Sequence, residues 1–387
     1  MLKPKQPHPS PPLLPQGREP FSASIKLLAL TLVSSKNQAE PANMHDASQA
    51  STRIVCFGEL LMRLSPPGCE LPLQSPHFNV HFGGAEANVA ASLAILGHHS
   101  VMVSALPDNM LGRACAGELR KHSVDTGGID YAEGRIGVYY LSPGAMHRPS
   151  EVLYDRADSA FARTPAENYD WPHLLANAHW LHLSGINLAL GETTARAALA
   201  AVHAARDAGK SISFDCNYRS KLWGSRATQA PALLRGIVGE ADLLFGNDRD
   251  IALMLGTAFP QADAVERFRA AANAAFETWP RLRRMAATER LHRNVDDQDL
   301  FGLMATRDHL LTTAPYTLAH VVDRVGGGDA FAAGLLHGLF RGMPDKAMLD
   351  FAMAAACLKH SIPGDVNLLR EDDMLAFLAQ GSFEVRR

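Results

Sequence analysis

The 387-residue chain carries little excess charge, few cysteines and no apolar run of membrane-spanning length. A net charge of −3 and a pI near 6.6 argue against electrostatic binding of nucleic acid, since such proteins present many basic residues to the phosphates. The apolar run at residues 25–33 is too short to cross a bilayer, which takes about 20 residues. The five cysteines, odd in number and without metal-type spacing, indicate reduced thiols in a cytoplasmic protein.

Two further motifs or patterns are missing. No Gly-x-Gly-x-x-Gly follows an early strand, which excludes a dinucleotide dehydrogenase of the usual type. Residues 1–52 have no hydrophobic period, because residues 4–20 are proline-rich and residues 34–51 are polar. We expect this stretch to be a disordered extension, and Met44 is a possible true start of the protein. Residues 53–382 are then expected to form the folded domain.

Apolar runs alternate with helical patterns through most of the chain, for example at residues 54–57, 101–103, 211–216 and 241–246, and a further strand is predicted at residues 282–287. This alternation is typical of an α/β fold with a mostly parallel sheet and helices on both faces. Shorter, half-polar segments within residues 71–83 and 136–157 do not suit a central strand, and the second of these ranges contains two predicted strands, at residues 136–141 and 151–154. They predict a small sheet set apart from the main body.

A glycine-rich stretch near the C-terminus is the most informative motif. Residues 316–322 predict a strand before it, and apolar residues at 3–4 spacing predict a helix after it. A helix N-terminus with exposed N–H groups favours an anion, and a ligand can reach backbone that has no side chains. The three glycines concerned are Gly326, Gly327 and Gly328. Asp329 either caps this helix or accepts the proton of a hydroxyl that attacks a bound phosphate.

A second glycine pair, Gly83 and Gly84, precedes another predicted helix. Asn88, four residues on, offers both a donor and an acceptor to a polyol. The alternative is a tight turn in which Asn88 bonds the turn itself.

Both glycine motifs resemble the signatures of the ribokinase-like (PfkB) carbohydrate kinases. Residues 323–331 resemble the pattern Asp-Thr-x-Gly-Ala-Gly-Asp-x-Phe, with Arg324 and Gly327 at the Thr and Ala positions, and residues 83–90 resemble Gly-Gly-x-x-x-Asn-x-Ala. The resemblance covers roughly residues 53–378. It implies a ribokinase-like three-layer α/β/α sandwich whose small β-sheet forms a lid over the sugar.

Two other stretches resemble the ketodeoxygluconate kinase branch of this family: residues 152–160 and the Asp-x-Asn-Tyr-Arg pattern at residues 215–219. The branch implies a sugar-acid substrate whose carboxylate meets two arginine forks, Arg156 and Arg219. The alternative for Arg156 is a surface ion pair. The substrate-binding residues implied by the resemblance are Gly83, Gly84, Asn88, Tyr139, Tyr154, Arg156 and Arg219.

The family's Asn-x-x-Glu motif has its counterpart in Asn247 and Asp250, where aspartate stands in for glutamate. The resemblance implies that these residues hold Mg²⁺ through water, and the alternative is a helix N-terminus with an acidic first turn. The family's Lys-x-Gly-x-x-Gly turn is missing at residues 288–294, so the adenine-binding residues are not identified. Lys359, His360, Ser361 and Gly364 are expected on a helix surface, and the alternative is that they border the nucleotide.

Taken as a whole, the resemblance implies an ATP-dependent kinase that uses Mg²⁺ and phosphorylates a primary hydroxyl, with 2-keto-3-deoxygluconate as the expected substrate and its 6-phosphate as product. In it Asp329 is the base, and the three glycines bind the phosphoryl group. A neutral-sugar kinase of the fructokinase or ribokinase type and a non-catalytic sugar sensor are the alternatives. The expected partners are a sugar acid and ATP, with no nucleic acid and no membrane. We also expect a homo-oligomer, because lids of this type often pair across a dimer.

Overall fold

The computed structural model describes residues 52–379, and the expectations for residues 1–51, including a start at Met44, lie outside the described residues. The strands are β1 Arg53–Phe57, β2 Leu61–Ser65, β3 Asn79–Gly83, β4 His99–Pro107, β5 Asp125–Ala132, β6 Gly137–Ser142, β7 Glu151–Asp155, β8 Trp180–Ser184, β9 Ser211–Asp215, β10 Leu243–Phe245, β11 Arg284–His292, β12 Gln298–Thr306, β13 Leu310–Thr312 and β14 Tyr316–Leu318.

The α-helices are α1 Ala85–Ile95, α2 Met110–Lys121, α3 Ala160–Arg163, α4 Trp171–Leu175, α5 Ile186–Ala189, α6 Glu192–Asp207, α7 Ser220–Trp223, α8 Ala230–Val238, α9 Asp248–Leu255, α10 Ala264–Thr278, α11 Gly327–Phe340, α12 Asp345–Lys359 and α13 Glu371–Leu378. Short 3₁₀ helices occupy Ala166–Asn168 and Gly224–Gln229. No helix within the described range combines the length and the apolar character needed to cross a membrane.

The large sheet has the order β13-β12-β11-β10-β9-β8-β1-β4-β5, with β14 also paired to β12. Its strands from β11 to β5 pair in parallel, and the β11–β12 and β12–β13 pairs are antiparallel. The expectation of a mostly parallel sheet is therefore confirmed.

Helices cover both faces of the large sheet, as the burial of strand β1 shows. Val55 and Phe57 belong to a core that includes α6, α8 and α10, whereas Ile54 and Cys56 belong to a core with α1, α11 and α12. All four side chains are fully buried. Because side chains alternate along a strand, a strand covered on both faces must be apolar at every position. The fold is the expected three-layer α/β/α sandwich.

A second sheet, which we call the lid, has the order β3-β2-β6-β7. The sequence predicted its strands β6 and β7 nearly to the residue, but it missed β2 and predicted too long a segment at residues 71–83. Only Asn79–Gly83 is a strand there. Strand β2 was missed because it is only five residues long, LMRLS, and is separated from β1 by just three residues.

Two predictions near the glycine-rich stretch are also wrong in extent. The strand expected at residues 316–322 ends at Leu318, and an irregular segment follows before α11. The strand predicted at residues 282–287 continues to His292 and pairs antiparallel with β12, which was not predicted. This hairpin replaces the missing family turn and carries side chains toward the candidate site.

Candidate active site

A cavity of about 570 Å³ lies at the carboxyl edge of the parallel strands, beneath the lid. In open α/β sheets this edge is where ligands bind. The lid contributes Leu61, Tyr139, Leu141, Val152 and Tyr154 to its walls. The main body contributes Gly84, Asn88, Asp215, Asn217, Tyr218, Arg219, Phe245, Asn247, Asp250, Thr288, Arg290, Arg324, Gly326, Gly328, Asp329 and Asp365, among others.

The glycine-rich stretch opens α11, although less of it is loop than expected. Gly326 is the N-cap, with φ of +80°, and a side chain there would overlap the carbonyl oxygen of Asp365. Gly327 and Gly328 lie in the first helical turn. A Cβ on Gly327 would lie 2.7 Å from the ring of His360, whereas a Cβ on Gly328 would meet nothing within 4 Å. Gly326 and Gly328 thus line the cavity, and Gly327 is buried by packing.

Asp329 is the third residue of α11 and does not cap it, so the alternative of an ordinary N-cap is wrong. Its Oδ2 accepts a hydrogen bond of 2.6 Å from Nδ2 of Asn88. Burial raises the pKa of Asp329 to about 7, with the nearby Glu86 and Asp365 adding to the rise and the Asn88 bond opposing it. A carboxylate with this pKa can take up a proton near neutral pH.

Asn88 joins the two glycine motifs in space. It sits in the first turn of α1, on the cavity wall, and its Nδ2 is engaged by Asp329. Its Oδ1 is buried and has no hydrogen-bond partner among the described residues. That oxygen can accept from a ligand hydroxyl, since an unpartnered buried acceptor is unfavourable. The alternative of a turn-bonding Asn88 finds no support in these contacts.

The glycines before α1 are required by packing. Gly84 has φ of +154°, and a side chain there would overlap the carbonyl oxygen of Glu59. A Cβ on Gly83 would lie 2.7 Å from Oδ2 of Asp365. Of the two, Gly84 lines the cavity and Gly83 lies behind it.

The two predicted arginine forks differ in their environments. Arg156 is buried and paired with Glu59, with Nε donating at 2.6 Å and Nη2 at 2.5 Å, so the alternative of a surface ion pair is wrong. Arg219 is exposed at the cavity rim and forms no ion pair within the described range. Its charge lowers the pKa of Asp215, Asp250 and Asp329 against the larger effect of burial.

The predicted tyrosines are cross-strand partners on the lid, Tyr139 on β6 facing Tyr154 on β7. The hydroxyl of Tyr139 donates to Oδ2 of Asp365 at 2.7 Å. Arg63, the neighbour of Tyr139 on β2, bridges Oδ1 of Asp365 at 2.8 Å and Oδ2 of Asp323 at 2.5 Å. A buried polar network therefore ties the lid to the segment that precedes α11.

Asn247 and Asp250 form the capping box of α9. Asn247 Oδ1 accepts from the backbone N–H of Asp250 at 3.3 Å, and Asp250 Oδ2 accepts from that of Asn247 at 2.9 Å. Both also line the cavity, and burial raises the pKa of Asp250 to about 6. Within residues 52–379 no group of three or more His, Cys, Asp or Glu side chains is arranged to hold a metal ion directly.

Sequence reasoning missed several cavity residues. Asp215 ends β9, and burial together with the charge of Asp329 raises its pKa to about 7. Asn217 has φ of +39° and a buried Oδ1 that no described residue contacts by a hydrogen bond. Both stand in the Asp-x-Asn-Tyr-Arg pattern, so their place at a strand end was a usable signal. Asp365 and Arg290 lie outside the recognised motifs and gave none.

The cavity, the glycine-capped helix and the half-buried Asp329 define a phosphotransferase site on a ribokinase-like fold. The chain belongs to the pfkB family carbohydrate kinases, whose pattern it matches over residues 51–278 and 306–371. The unmatched stretch between these segments contains most of the β11–β12 hairpin.

The proteins to which the chain is similar include one curated relative and two solved structures. The chain is 31% identical over 340 residues to a 2-dehydro-3-deoxygalactonokinase of Haloferax volcanii, covering 87% of this chain and all of that one. It is similar to the crystal structure of a 2-dehydro-3-deoxygluconokinase from Thermotoga maritima, with a TM-score of 0.81 and 36% identity over 85% of this chain and all of that one. A putative ribokinase II of E. coli in complex with ATP and Mg²⁺ shares the fold, with a TM-score of 0.71 and 17% identity over 85% of this chain and 99% of that one.

Proposed function

We propose that the protein is an ATP-dependent sugar-acid kinase that phosphorylates the primary hydroxyl of 2-keto-3-deoxygluconate to give the 6-phosphate. The observation that carries the proposal is the position of Asp329, half-buried in the first turn of α11 beside Gly328 and bonded to Asn88. The unpaired Arg219 at the cavity rim supports an acidic substrate. The similarity to kinases named for 2-dehydro-3-deoxy sugar acids points the same way.

The proposed reaction transfers one phosphoryl group. Asp329 accepts the proton of the attacking hydroxyl, whose oxygen forms a bond to the terminal phosphorus while the bond from that phosphorus to ADP breaks. Backbone N–H groups at the start of α11, at Gly326 to Gly328, stabilise the charge on the transferring group, and they need no rearrangement to do so. Gly84, Asn88, Tyr154, Arg156 and Arg219 hold the sugar acid; Tyr139, whose hydroxyl is occupied by Asp365, and Gly83 support this shell from behind.

The residues present fit a nucleotide and, less directly, its metal. The open space at Gly328 and the cationic side chains of the cavity suit a polyphosphate. The side-chain oxygens of Asn247 and Asp250 already accept hydrogen bonds at the start of α9. These residues would therefore hold Mg²⁺ through its water molecules, and a water shell tolerates the short reach of aspartate. When bound, the ion neutralises phosphate charge. Assembly as a homo-oligomer through the lid stays a prediction.

A second candidate substrate is 2-keto-3-deoxygalactonate, which differs at one carbon. The Haloferax volcanii relative named for this sugar acid spans most of the chain, so the comparisons favour the compound class more strongly than either epimer. A kinase that accepts both is compatible with an open cavity whose walls include backbone and water-accessible arginine.

The proposal is tested by measuring ADP release from the purified protein with ATP, Mg²⁺ and a panel of acceptors. The panel contains both 2-keto-3-deoxy sugar acids, gluconate, fructose and ribose. We expect kcat/KM to be at least about 100-fold higher for a 2-keto-3-deoxy acid than for fructose or ribose, equivalent to roughly 2.7 kcal/mol. A preference for fructose or ribose would instead establish a neutral-sugar kinase, and binding of sugar without turnover would indicate a sensor.

A further inference from the structure

Two arginines on the cavity wall have no carboxylate partner. Arg290 lies in β11, and Arg324 lies in the segment before α11. Nη2 of Arg324 donates to the carbonyl of Val295 at 2.9 Å and to Oε1 of Gln298 at 3.1 Å, both uncharged acceptors. Within residues 52–379 neither guanidinium forms an ion pair, in contrast to Arg63 and Arg156 on the same cavity's lid side.

Burial and mutual repulsion make this arrangement unfavourable without an anion. Burial and, to a smaller extent, the charge of Arg324 lower the pKa of Arg290 to about 10. Burial also lowers the pKa of Arg324, which only Asp296 opposes, from beyond ion-pair distance. Both groups nevertheless keep their charge at neutral pH. Two partly buried like charges on the wall of one cavity repel each other, and a bound anion would offset that repulsion.

His360 fixes the orientation of Arg290. The Nδ1 of this buried imidazole is 2.7 Å from the carbonyl oxygen of Ala356 and must donate to it, which leaves Nε2 as an acceptor. That Nε2 lies 3.3 Å from Nη2 of Arg290. Burial lowers the pKa of His360 to about 4, so the ring stays neutral. The same ring packs under Gly327, which connects Arg290 to the first turn of α11.

We propose that Arg290 and Arg324 bind the polyphosphate of the nucleotide donor, with His360 as a positioning residue for Arg290. The inference rests on the proposed kinase function and adds a phosphate-recognition site to it. Both arginines share the cavity with Gly328 and the N-terminus of α11, where a terminal phosphoryl group would lie. Two guanidinium forks match two neighbouring phosphates better than the single carboxylate of a sugar acid, for which Arg219 is available.

The segment that carries Arg290 differs from the pattern of the family. Residues 279–305 fall outside the family match, and the turn by which the family closes around the nucleotide is absent there. Strand β11 instead runs on to His292 and presents Thr288 and Arg290 to the cavity. The hairpin thus supplies a charged side chain where other members are expected to use a glycine turn.

The experiment compares nucleotides that differ in phosphate number. Dissociation constants of AMP, ADP and ATP are measured by calorimetry, in the absence of sugar, for the wild type, Arg290→Gln and Arg324→Gln. The matched control is Arg293→Gln, since Arg293 lies on the same hairpin but is exposed and paired with Asp299. Arg290→Lys, which keeps the charge and loses the fork, is included, and thermal melting confirms folding of each variant.

We expect each Gln variant to weaken ADP and ATP binding by roughly 10-fold or more, as for loss of a charge-assisted hydrogen bond, while AMP binding changes by less than about 3-fold. Arg290→Lys should fall between, and Arg293→Gln should match the wild type. Equal losses for AMP and ADP, or unchanged ADP binding, would overturn the proposal.

Calorimetry with the sugar acid separates this proposal from the proposed function. If the Gln variants lose sugar-acid binding and keep ADP binding, the arginines belong to the acceptor and the phosphate assignment is wrong. If the wild type phosphorylates no sugar acid at all, the AMP and ADP measurements still decide the role of the two arginines, because they need no acceptor.

Discussion

A carboxylate in the first turn of a helix normally ionises readily, because the helix dipole and the free N–H groups favour negative charge. Asp329 occupies such a position, yet burial raises its pKa to about 7. Loss of hydration is the main reason, and the negative charges of Glu86 and Asp365 add to the rise, whereas the Asn88 hydrogen bond and the charge of Arg219 oppose it. The residue is therefore tuned by its neighbours toward accepting a proton at neutral pH.

The first prediction concerns this tuning. The wild-type kcat/KM for the sugar acid should rise with pH through about 7 and then level off, since Asp329 must be deprotonated to act as a base. Asp215 titrates in the same range, so the measured pKa belongs to the coupled cluster.

Asp329→Asn should lower kcat by at least about 1,000-fold and leave sugar binding within about 3-fold. Full activity in this variant would refute the assignment of the base.

The same shift affects stability. Because the folded-state pKa of Asp329 lies above its unfolded value, the group lowers the stability of the folded protein from the unfolded pKa upward, and the cost grows until the pH passes about 7. Asp329→Asn removes that charge and can keep the bond from Asn88. The free energy of unfolding of the variant should therefore exceed that of the wild type by roughly 1 kcal/mol or more at pH 8, and by a smaller amount at pH 5. Differential scanning calorimetry at both pH values provides the measurement, and a gain confined to pH 5 would contradict it.

At the scale of elements, the inner strands of the lid, β2 and β6, are bonded to the main body, whereas side chains of its outer strands, β3 and β7, are exposed. Arg63 on β2 and Tyr139 on β6 reach into the main body, where they bond the carboxylates of Asp323 and Asp365. The outer strands β3 and β7 expose apolar side chains, among them Val80 and Leu153. The inner strands of the lid are thus held near the helix α11, and its edges are less constrained.

This asymmetry predicts the effect of breaking the anchor. Arg63→Met should lower the free energy of unfolding by roughly 3–5 kcal/mol, because two buried carboxylates lose their counter-charge. The control Arg135→Met removes an exposed pair with Asp155 and should cost about 1 kcal/mol or less. Urea unfolding measures both. Equal costs would mean that the anchor contributes no more than a surface ion pair.

Hydrogen exchange provides an independent readout of the same anchor. In the wild type the amides of β2 and β6 should exchange more slowly than those of β3 and β7, and milder disruption by Arg63→Lys should reduce the protection of the inner strands selectively. Uniform exchange over the whole lid would show that it opens as one unit.

For the whole molecule, the sequence predicted what depends on local pattern. The α/β/α layers followed from apolar strands such as β1, and the resemblance of both glycine motifs to one family implied a common site for Asn88 and Asp329, although their hydrogen bond was not predicted. What it missed depends on contacts between distant segments. Lys359 and His360 were expected on a helix surface but are 0% and 2% exposed, because the segment at Asp365 folds back beside them. No local sequence pattern predicts the position of this segment.

The two predicted substrate arginines differ in whether a carboxylate of the protein pairs with them. Arg156 is neutralised by Glu59, whereas Arg219 stands exposed at the rim without an ion pair among residues 52–379. Glu59→Gln would free Arg156, but it would also disturb the buried pair, so the arginines themselves are the cleaner targets.

The last prediction ranks these arginines by their effect on acid recognition. Arg219→Gln should raise KM for the sugar acid by roughly 10-fold or more and change KM for fructose little, since an unpaired guanidinium offers its full charge to a carboxylate. Arg156→Gln should raise KM for both the sugar acid and fructose and lower the melting temperature, because it leaves Glu59 buried without a counter-charge. Steady-state kinetics with both acceptors, beside thermal melting, measures the two effects. A selective loss of the acid in Arg156→Gln and an equal loss in Arg219→Gln would reverse the ranking, and would mean that the Glu59 pair opens when substrate binds.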